Sequence, residues 1–329
     1  MICNNILRKL SYFCHLIEFA IKWTIRNFQA GRSDSLACLT DKTAIVTGGS
    51  RGIGYAISVL LASRGCRVII ACRGNATEAK EEIIKVTSNK NITIAKLDLS
   101  SLKSIREFAE NIKVTHEKID ILINNAGVGA LTQKVTEDGL NATMQTNFFG
   151  SFLLTHLLLE PLKASGKARV VFTTSVLGEM HNLTLENLNM TNYEMNFGTS
   201  MDLYSNSKLC NTLAGHQFSK RLRDHHIMVN TYDTGGAQTD IFKNAINETG
   251  NWGVRFFSFI TIPFQRDKFV AAQGAFHLAS SEKLNEETGK LYFRCKPLLH
   301  PMIINDEKFC DEIWKKTEEL VGLSPEEKI

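Results

Sequence analysis

The sequence lacks several features that mark whole classes of protein. Lys and Arg total 38 against 34 Asp and Glu, a formal net charge of +4, and no dense basic run occurs. A nucleic-acid partner is therefore not indicated. None of the eight cysteines forms a Cys-x-x-Cys pair, so we predict free thiols in a reducing compartment and no metal site. The chain also shows no internal repeat and no second domain.

Residues 1–30 lack a long uncharged apolar run, because charged side chains interrupt them from Arg8 to Arg26. A spanning helix is therefore not indicated, and no small-residue cleavage site follows an apolar core, as a secretory signal requires. Apolar residues instead recur at steps of three and four, which predicts an amphipathic helix. We expect this helix to lie on a membrane surface. A mitochondrial presequence and a helix docked on the protein's own core are the alternatives.

A glycine-rich turn, Thr-Gly-Gly-Ser-Arg-Gly-Ile-Gly, is the strongest positive signal in the chain. The apolar run 42–46 before it predicts a buried strand, and residues 55–62 after it have helical periodicity. Gly48 would permit the tight turn, Gly52 would let backbone approach a pyrophosphate, and Gly54 would let helix pack on strand. An anion would then meet the N–H groups at the start of the helix. A purely structural turn is the alternative reading.

Short apolar strands alternate with helices through the rest of the chain. Further strands are predicted over 67–72, 92–97, 119–123, 169–173, 228–232 and 290–293. Helices are predicted over 76–88, 101–114, 134–160, 203–222, 268–280 and 306–321, with an irregular segment at 176–200. This order predicts an α/β fold, a Rossmann-type doubly wound parallel sheet. One domain would span 41–329 after a linker at 31–40, with an excursion at 241–265.

In such a sheet, ligands bind at the carboxyl ends of the strands. The turns expected to meet there contain Arg73, Asp98, Asn124–Gly127, Ser175 and Thr234–Gly235. These side chains are therefore candidates for a binding site.

Tyr204 and Lys208 are four residues apart in a predicted helix and share one face of it. A nearby ammonium favours the phenolate form of a tyrosine, whose pKa is ordinarily about 10. Such a tyrosine could exchange a proton with an alcohol or a carbonyl. This spacing alone is common on helix surfaces. It indicates a catalytic pair only because the glycine loop and the Asn-Asn-Ala-Gly turn occur in the same chain.

Together these motifs resemble those of the short-chain dehydrogenase/reductase superfamily over residues 40–295. The glycine loop fits TGxxxGxG, Asn124–Gly127 fits the NNAG turn, and Tyr204 with Lys208 fits YxxxK. The resemblance implies a catalytic set of Asn147, Ser175, Tyr204 and Lys208. Tyr204 would be the general acid/base, and Ser175 would hold the substrate oxygen. Lys208 would bind the nicotinamide ribose and lower the pKa of Tyr204, and Asn147 would hold a water that links Lys208 to solvent.

The resemblance also implies a nicotinamide-cofactor site. Its expected residues are Gly48, Ser50, Arg51, Gly52, Ile53, Gly54, Arg73, Asp98, Leu99, Asn125, Ala126, Gly127, Tyr204, Lys208, Gly235 and Thr239. Members that bind NAD have an acidic residue after the second strand, whereas this chain has Arg73 there and Arg51 in the glycine loop. Two guanidinium groups suit a 2′-phosphate, so we predict NADP(H).

Within the superfamily, the chain resembles the microsomal, NADP-preferring retinol dehydrogenases. The interval of 29 residues between Ser175 and Tyr204 and the pattern of the C-terminal tail carry this likeness. Residues 241–265, rich in Phe and Ile, would form a substrate lid, although ordinary core packing would explain them equally well. The implied function is hydride transfer between NADP(H) and a lipophilic alcohol or carbonyl such as retinol or retinal. Steroid, isoprenoid and fatty aldehydes, or a catalytically silent nucleotide-binding scaffold, are the alternatives.

Three further expectations complete the sequence-based description. The family's Pro-Gly after the sixth strand is replaced by Asp233-Thr234-Gly235-Gly236, which leaves that loop less restricted. The predicted location is the cytosolic face of the endoplasmic reticulum membrane, with the mitochondrion or lipid droplets as alternatives. A homodimer could form through the helices at 134–160 and 203–222.

Overall fold

A computed structural model of the chain describes residues 31–129, 134–194, 196–235 and 266–329. The predicted N-terminal helix at 1–30 and the predicted lid at 241–265 lie outside these ranges, as does Thr239. Within the four described ranges, no helix is both long enough and apolar enough to cross a membrane.

One sheet of eight strands in the described chain organises the fold. The strands are β1 (Thr43–Thr47), β2 (Arg67–Cys72), β3 (Ile92–Lys96), β4 (Ile121–Asn124), β5 (Arg169–Thr174), β6 (Met228–Asp233), β7 (Leu291–Phe293) and β8 (Lys296–Leu298). They are arranged in the order β3-β2-β1-β4-β5-β6-β7-β8, parallel except for β8, which pairs antiparallel with β7. Every residue of the central strands β1, β4 and β5 is buried, as their continuous apolar runs predict.

Helices cover both faces of the sheet. They are α1 (Gly52–Ala62), α2 (Thr77–Thr87), α3 (Leu102–Thr115), α4 (Ala142–Leu157), α5 (Leu159–Ala164), α6 (Phe197–Arg221), α7 (Lys268–Ser280) and α8 (Glu307–Leu320). One buried cluster contains side chains of α3, α4, α6 and α8, and the other contains those of α1, α2 and α7. This arrangement confirms the Rossmann-type doubly wound sheet predicted from the sequence.

Some predicted boundaries differ from the observed ones, and local hydrogen bonds explain why. The helix predicted from 134 begins only at Ala142, because the side chain of Asn141 caps it by accepting the N–H groups of Thr143 and Met144. The helix predicted from 203 already begins at Phe197, where Asn196 accepts the N–H of Thr199. Strand β8 was not predicted at all, since Lys-Pro-Leu is short and has little strand character.

The C-terminal helix α8 packs its Trp314 into an aromatic cluster on α4 and α6. The Trp314 ring lies 4.7 Å from Phe152 and 4.7 Å from Phe218, centroid to centroid, and 5.3 Å from His156. The Arg221 guanidinium stacks on its face at 4.2 Å. A homodimer through α4 and α6 would therefore have to form beside α8, which already covers part of their surface.

Burial of His156 in this cluster makes stability depend on pH. Burial lowers the pKa of His156 from 6.5 to about 4, so its neutral form is favoured in the folded protein. The unfolded chain takes up a proton near pH 6.5, whereas the folded chain resists it until about pH 4. The contribution of His156 is therefore complete above pH 6.5. It is lost as the pH falls from 6.5 to 4, at about 1.4 kcal/mol per pH unit.

Urea unfolding at pH 7 and pH 5 checks this expectation. The free energy of unfolding should fall less between the two pH values in His156→Leu than in the unmodified protein. An equal fall in both proteins would show that His156 is not the group responsible.

Candidate active site

The glycine loop connects β1 to α1 in a conformation that requires glycine. Gly48 and Gly52 have φ angles of +66° and +55°, in the left-handed region. The N–H of Gly48 donates to the Ala71 carbonyl at 2.8 Å, which ties the loop to the end of β2. A Cβ on Gly54 would lie 2.2 Å from the Gly48 oxygen. The loop is therefore folded tightly back on the first turn of α1.

Substituting Gly54 by alanine should prevent this close packing. Because the obstructing atom is a backbone oxygen, the loop itself must move, and the N–H groups of α1 move with it. We expect cofactor affinity to fall at least about tenfold, because a misplacement of about 1 Å can cost roughly 100-fold at a site that depends on exact positioning. Isothermal titration with NADPH measures the effect. Gly166→Ala is a control for glycine replacement at a left-handed turn with open space around it.

The start of α1 is suited to an anion. Among the described residues no side chain caps this helix, since Arg51 occupies the N-cap position without a side-chain hydrogen bond. Its first-turn N–H groups and its positive dipole end are thus available to a phosphate. Ser50 in the loop and Ile53 in the first turn of α1 are partly exposed.

Thr47, which the sequence analysis did not single out, joins the glycine loop to the Asn-Asn-Ala-Gly turn. Its hydroxyl accepts the N–H groups of Asn125 and Ala126 at 2.9 and 3.0 Å, and donates to the Ile123 carbonyl at 3.2 Å. The Asn125 side chain donates to the Thr47 carbonyl at 3.0 Å. In the sequence, the feature that could have indicated this role is a threonine directly after the predicted strand 42–46.

Gly127 and Asn147 bring the turn after β4 against α6. A Cβ on Gly127 would lie 3.2 Å from Lys208 Nζ and 3.4 Å from Asn147 Oδ1. Asn147 lies in a π-helical turn of α4, Gln145–Phe149, and is buried. Its Oδ1 accepts the Val128 N–H at 2.7 Å, and its Nδ2 donates to the Val128 carbonyl at 3.0 Å. Asn147 thus fastens the Asn-Asn-Ala-Gly turn, whereas its predicted role in holding a water stays a prediction.

Ser207 links Asn147 to α6 and was also missed from the sequence. Its Oγ accepts from Asn147 Nδ2 at 3.0 Å and donates to the Tyr204 carbonyl at 2.7 Å. The sequence feature that could have indicated this role is a small polar residue immediately before Lys208.

Ser175, Tyr204 and Lys208 meet at the carboxyl ends of β5 and β6. The Ser175 hydroxyl hydrogen-bonds the Tyr204 phenol, and Lys208 Nζ lies 5.5 Å from the centroid of the Tyr204 ring. The Thr174 hydroxyl donates to the Lys208 carbonyl at 2.6 Å and so ties the end of β5 to α6. Asp233, the last residue of β6, contributes a buried carboxylate to this group.

Burial determines the charge states of the pair. The pKa of Lys208 is lowered to about 8 by burial, and Asp233 opposes the shift. The pKa of Tyr204 is raised, chiefly by burial and also by the Asp233 carboxylate, while the Ser175 hydrogen bond acts in the opposite direction. The net shift for Tyr204 is therefore opposite to the lowering predicted from Lys208, because burial and the Asp233 carboxylate both disfavour the phenolate.

The two arginines predicted to bind a 2′-phosphate lie in the turns that follow the neighbouring strands β1 and β2. Arg51 and Arg73 are exposed, and neither guanidinium forms an ion pair or hydrogen bond within the described part of the chain. Ser50 hydrogen-bonds Cys72, so the glycine loop that contains Arg51 contacts the strand that ends just before Arg73. The pair is thus available to a ligand.

The remaining predicted cofactor residues differ in their burial and in their hydrogen bonds. Asp98 accepts the N–H and hydroxyl of Ser100 at 2.9 and 2.6 Å, and Leu99 is buried. Gly235 has a φ of +67°, and its N–H donates to the Asp233 carboxylate at 2.8 Å. This side-chain bond restrains the loop that lacks the family's proline. Thr239 is outside the described residues.

This arrangement fits a nicotinamide dinucleotide. The uncapped helix start and the tightly folded glycine loop provide the place for a pyrophosphate, next to exposed arginines. Lys208 would hold the ribose and Tyr204 the reacting oxygen. When bound, the nicotinamide supplies or accepts a hydride, and the protein's own residues supply the proton and the orientation.

Comparisons with known proteins agree with this description. Residues 42–187 match the family model described as short chain dehydrogenase. Retinol dehydrogenase 13 of Homo sapiens is 35% identical over 299 residues, covering 89% of this chain and 88% of that protein. Retinol dehydrogenase 12 of Homo sapiens is 34% identical over 321 residues, covering 95% and 96%.

A solved structure has the same fold. The Pseudomonas aeruginosa RhlG/NADP active-site complex aligns with a TM-score of 0.60 at 26% identity, over 78% of this chain and 95% of the other. The family match, the coverage of the relatives and the sheet topology lead to one conclusion. This chain belongs to the short-chain dehydrogenase/reductase superfamily, an oxidoreductase family that uses NAD(P), and resembles the retinol dehydrogenases within it.

Proposed function

We propose that the protein is an NADP(H)-dependent oxidoreductase that interconverts a lipophilic alcohol and its carbonyl, with retinol and retinal as the nearest substrates. The observation that carries the proposal is the meeting of Ser175, Tyr204 and Lys208 beside the glycine loop. Carbonyl reduction requires a proton donor from the protein. Here the donor Tyr204 is hydrogen-bonded by the Ser175 hydroxyl and lies near the buried ammonium of Lys208.

Each of these residues has a chemical role in the proposal. In reduction, the Tyr204 phenol donates its proton to the carbonyl oxygen, and in oxidation the phenolate accepts the alcohol proton. The Ser175 hydroxyl, already bonded to Tyr204, hydrogen-bonds the same substrate oxygen. Lys208, kept charged by Asp233 against the effect of burial, stabilises the phenolate. Asn147 bonds Ser207, the residue before Lys208, and so fastens this part of α6 to α4.

Two observations support NADP(H) over NAD(H). Arg51 and Arg73 are exposed in the turns after the adjacent strands β1 and β2, and the position after β2 has no carboxylate to accept from a ribose 2′-hydroxyl. A 2′-phosphate would satisfy both guanidinium groups. The NADP in the RhlG complex shows that a related fold binds this cofactor.

The substrate class is supported by the relatives and by the sequence outside the described ranges. Two relatives that cover most of this chain are retinol dehydrogenases, and the Phe- and Ile-rich residues 241–265 suit an apolar substrate. A steroid ketone, an isoprenoid aldehyde and a fatty aldehyde remain within the same chemistry. A silent nucleotide-binding scaffold is disfavoured because Ser175, Tyr204 and Lys208 are all present and in contact.

The deciding experiment compares NADPH with NADH oxidation by the membrane-bound full-length protein. All-trans-retinal, a short aliphatic aldehyde and a steroid ketone are offered in turn. Turnover of retinal with NADPH alone supports the whole proposal. Turnover with NADH would contradict the proposal that Arg51 and Arg73 select NADP(H). Turnover of the steroid ketone alone would change the proposed substrate class. Tight NADPH binding without turnover of any carbonyl would favour the scaffold.

We also propose that residues 1–30 bind the protein to a membrane surface, most simply the cytosolic face of the endoplasmic reticulum. Their apolar side chains recur at helical spacing and are flanked by Lys and Arg. A variant that lacks residues 1–30 should move from the membrane pellet to the supernatant and keep its NADPH-dependent activity. If it stays in the pellet, another segment anchors the protein, with residues 252–265 the first to test.

A further inference from the structure

The segment after β5 wraps around the first half of α6, and we call residues 175–182 the strap. At its near end, the Ser175 hydroxyl bonds the Tyr204 phenol. In its middle, Gly178 lies so close to α6 that an added Cβ would be 3.1 Å from the Leu209 nitrogen. At its far end, Asn182 pairs with Asn206. The strap therefore touches α6 along its length.

The far end is closed by reciprocal amide hydrogen bonds. Asn206 Oδ1 accepts the Asn182 N–H at 3.0 Å, and Asn206 Nδ2 donates to Asn182 Oδ1 at 2.9 Å. The Asp202 carboxylate also hydrogen-bonds the Asn182 side chain. Asp202 and Asn206 share the face of α6 opposite to Tyr204 and Lys208, because two residues correspond to about half a turn of an α-helix.

The two sides of these bonds differ in exposure. Asn206 is only 2% exposed, whereas Asn182 is an exposed residue. If Asn206 lost its amide, water could satisfy the freed groups of Asn182, so the strap could lift without leaving an unpaired buried donor on its own side. The hydrogen bonds that join the far end of the strap to α6 thus depend on the side chain of Asn206.

We propose that Asn206 is a positioning residue. By closing the strap behind α6, it holds the Ser175 hydroxyl on the Tyr204 phenol on the front of the same helix. The near end of the strap is already tied down, because Thr174 donates to the Lys208 carbonyl at 2.6 Å. Asn206 then limits how far residues 176–182 can move, and with them the orientation of Ser175. This role rests on the proposed oxidoreductase function.

The variant Asn206→Leu tests the proposal in the full-length protein with NADPH and the carbonyl that is turned over best. We expect kcat to fall about tenfold, with KM for NADPH changed by less than about twofold, because proton transfer is misaligned while the cofactor site is intact. Loss of the Ser175 bond raises the pKa of Tyr204 further, so the limb of the pH–rate profile due to Tyr204 should move to higher pH. Gly178→Ala, which pushes the strap off Leu209 N, should show the same pattern.

Asn230→Leu is the matched control. Asn230 is also buried, and it too uses both ends of its amide, accepting the Lys290 N–H at 3.0 Å and donating to the Glu287 carbonyl at 2.7 Å. Both hydrogen bonds of its side chain go to the loop before β7 and neither goes to the strap. Asn230→Leu should lower the melting temperature about as much as Asn206→Leu does, and it should leave kcat and the pH–rate profile unchanged.

Amide hydrogen exchange over residues 176–182 supplies a readout without turnover. Exchange should speed up in Asn206→Leu and not in Asn230→Leu. Unchanged exchange in Asn206→Leu, or equal losses of kcat in the two leucine variants, would overturn the positioning role. If the unmodified protein turns over no carbonyl, the proposed function fails by itself, and the exchange rates still decide whether Asn206 closes the strap.

Discussion

Replacing Tyr204 by phenylalanine should reduce turnover by about 10³-fold, within the range that removal of a general acid/base produces. The phenol oxygen is the atom that Ser175 bonds. Phenylalanine retains the ring and removes only that oxygen. Carbonyl reduction would then lack its proton donor, whereas the glycine loop and the exposed arginines are unaltered. Single-turnover rates with retinal and NADPH measure the loss, and fluorescence titration with NADPH should give nearly the same affinity as the unmodified protein.

Tyr292→Phe is the control for this substitution. Tyr292 is a buried tyrosine of β7, and it has no part in the proposed proton transfer. Its variant should retain full turnover. Normal activity in Tyr204→Phe would remove Tyr204 from the mechanism. Loss of NADPH binding in that variant would mean that the tyrosine is needed for the fold of the site.

Removing both arginines should change the cofactor preference. A hydrogen bond to a charged group contributes about 1.5–3 kcal/mol, so each guanidinium accounts for roughly tenfold to a hundredfold in affinity. In the double variant Arg51→Ala with Arg73→Ala, we expect KM for NADPH to rise about 100-fold or more. KM for NADH, which has no 2′-phosphate, should change little. Steady-state kinetics with both cofactors measure the ratio.

Arg223→Ala separates this effect from a general loss of positive charge. Arg223 is exposed in the turn before β6, at the amino ends of the strands and thus away from the cofactor site. Its removal should leave both KM values unchanged. A parallel rise of both in the arginine double variant would indicate damage to the glycine loop. An unchanged KM for NADPH would leave the 2′-phosphate argument without support.

Much of the fold followed from local sequence patterns. The strands β2 and β5 were predicted to within a residue of their observed ends, because buried parallel strands are continuous apolar runs in the sequence. The helix α7 was predicted with its observed ends. The helix starts at Ala142 and Phe197 were missed. They depend on the side-chain caps of Asn141 and Asn196, and asparagine occurs in loops as often as at caps.

The candidate site residues could be named from the sequence, whereas the hydrogen bonds that connect them could not. Gly48, Gly52 and Gly54 could be assigned because only glycine tolerates the turn and close contact that a strand–loop–helix unit needs. The contribution of Thr47 could not be assigned, since a threonine in a strand usually has no function beyond the strand itself. Asn206 likewise acquires its partner from the strap, 24 residues earlier in the chain.

The sequence by itself determined the family, most strands and helices in their order along the chain, and the residues proposed to transfer a proton. These depend on spacing within single elements, such as the four residues between Tyr204 and Lys208. Only the tertiary structure decided the electrostatics of the site. Burial and Asp233 raise the pKa of Tyr204, and burial lowers that of Lys208. Burial and the approach of β6 to α6 arise only when the sheet is assembled, because they join residues far apart in the chain.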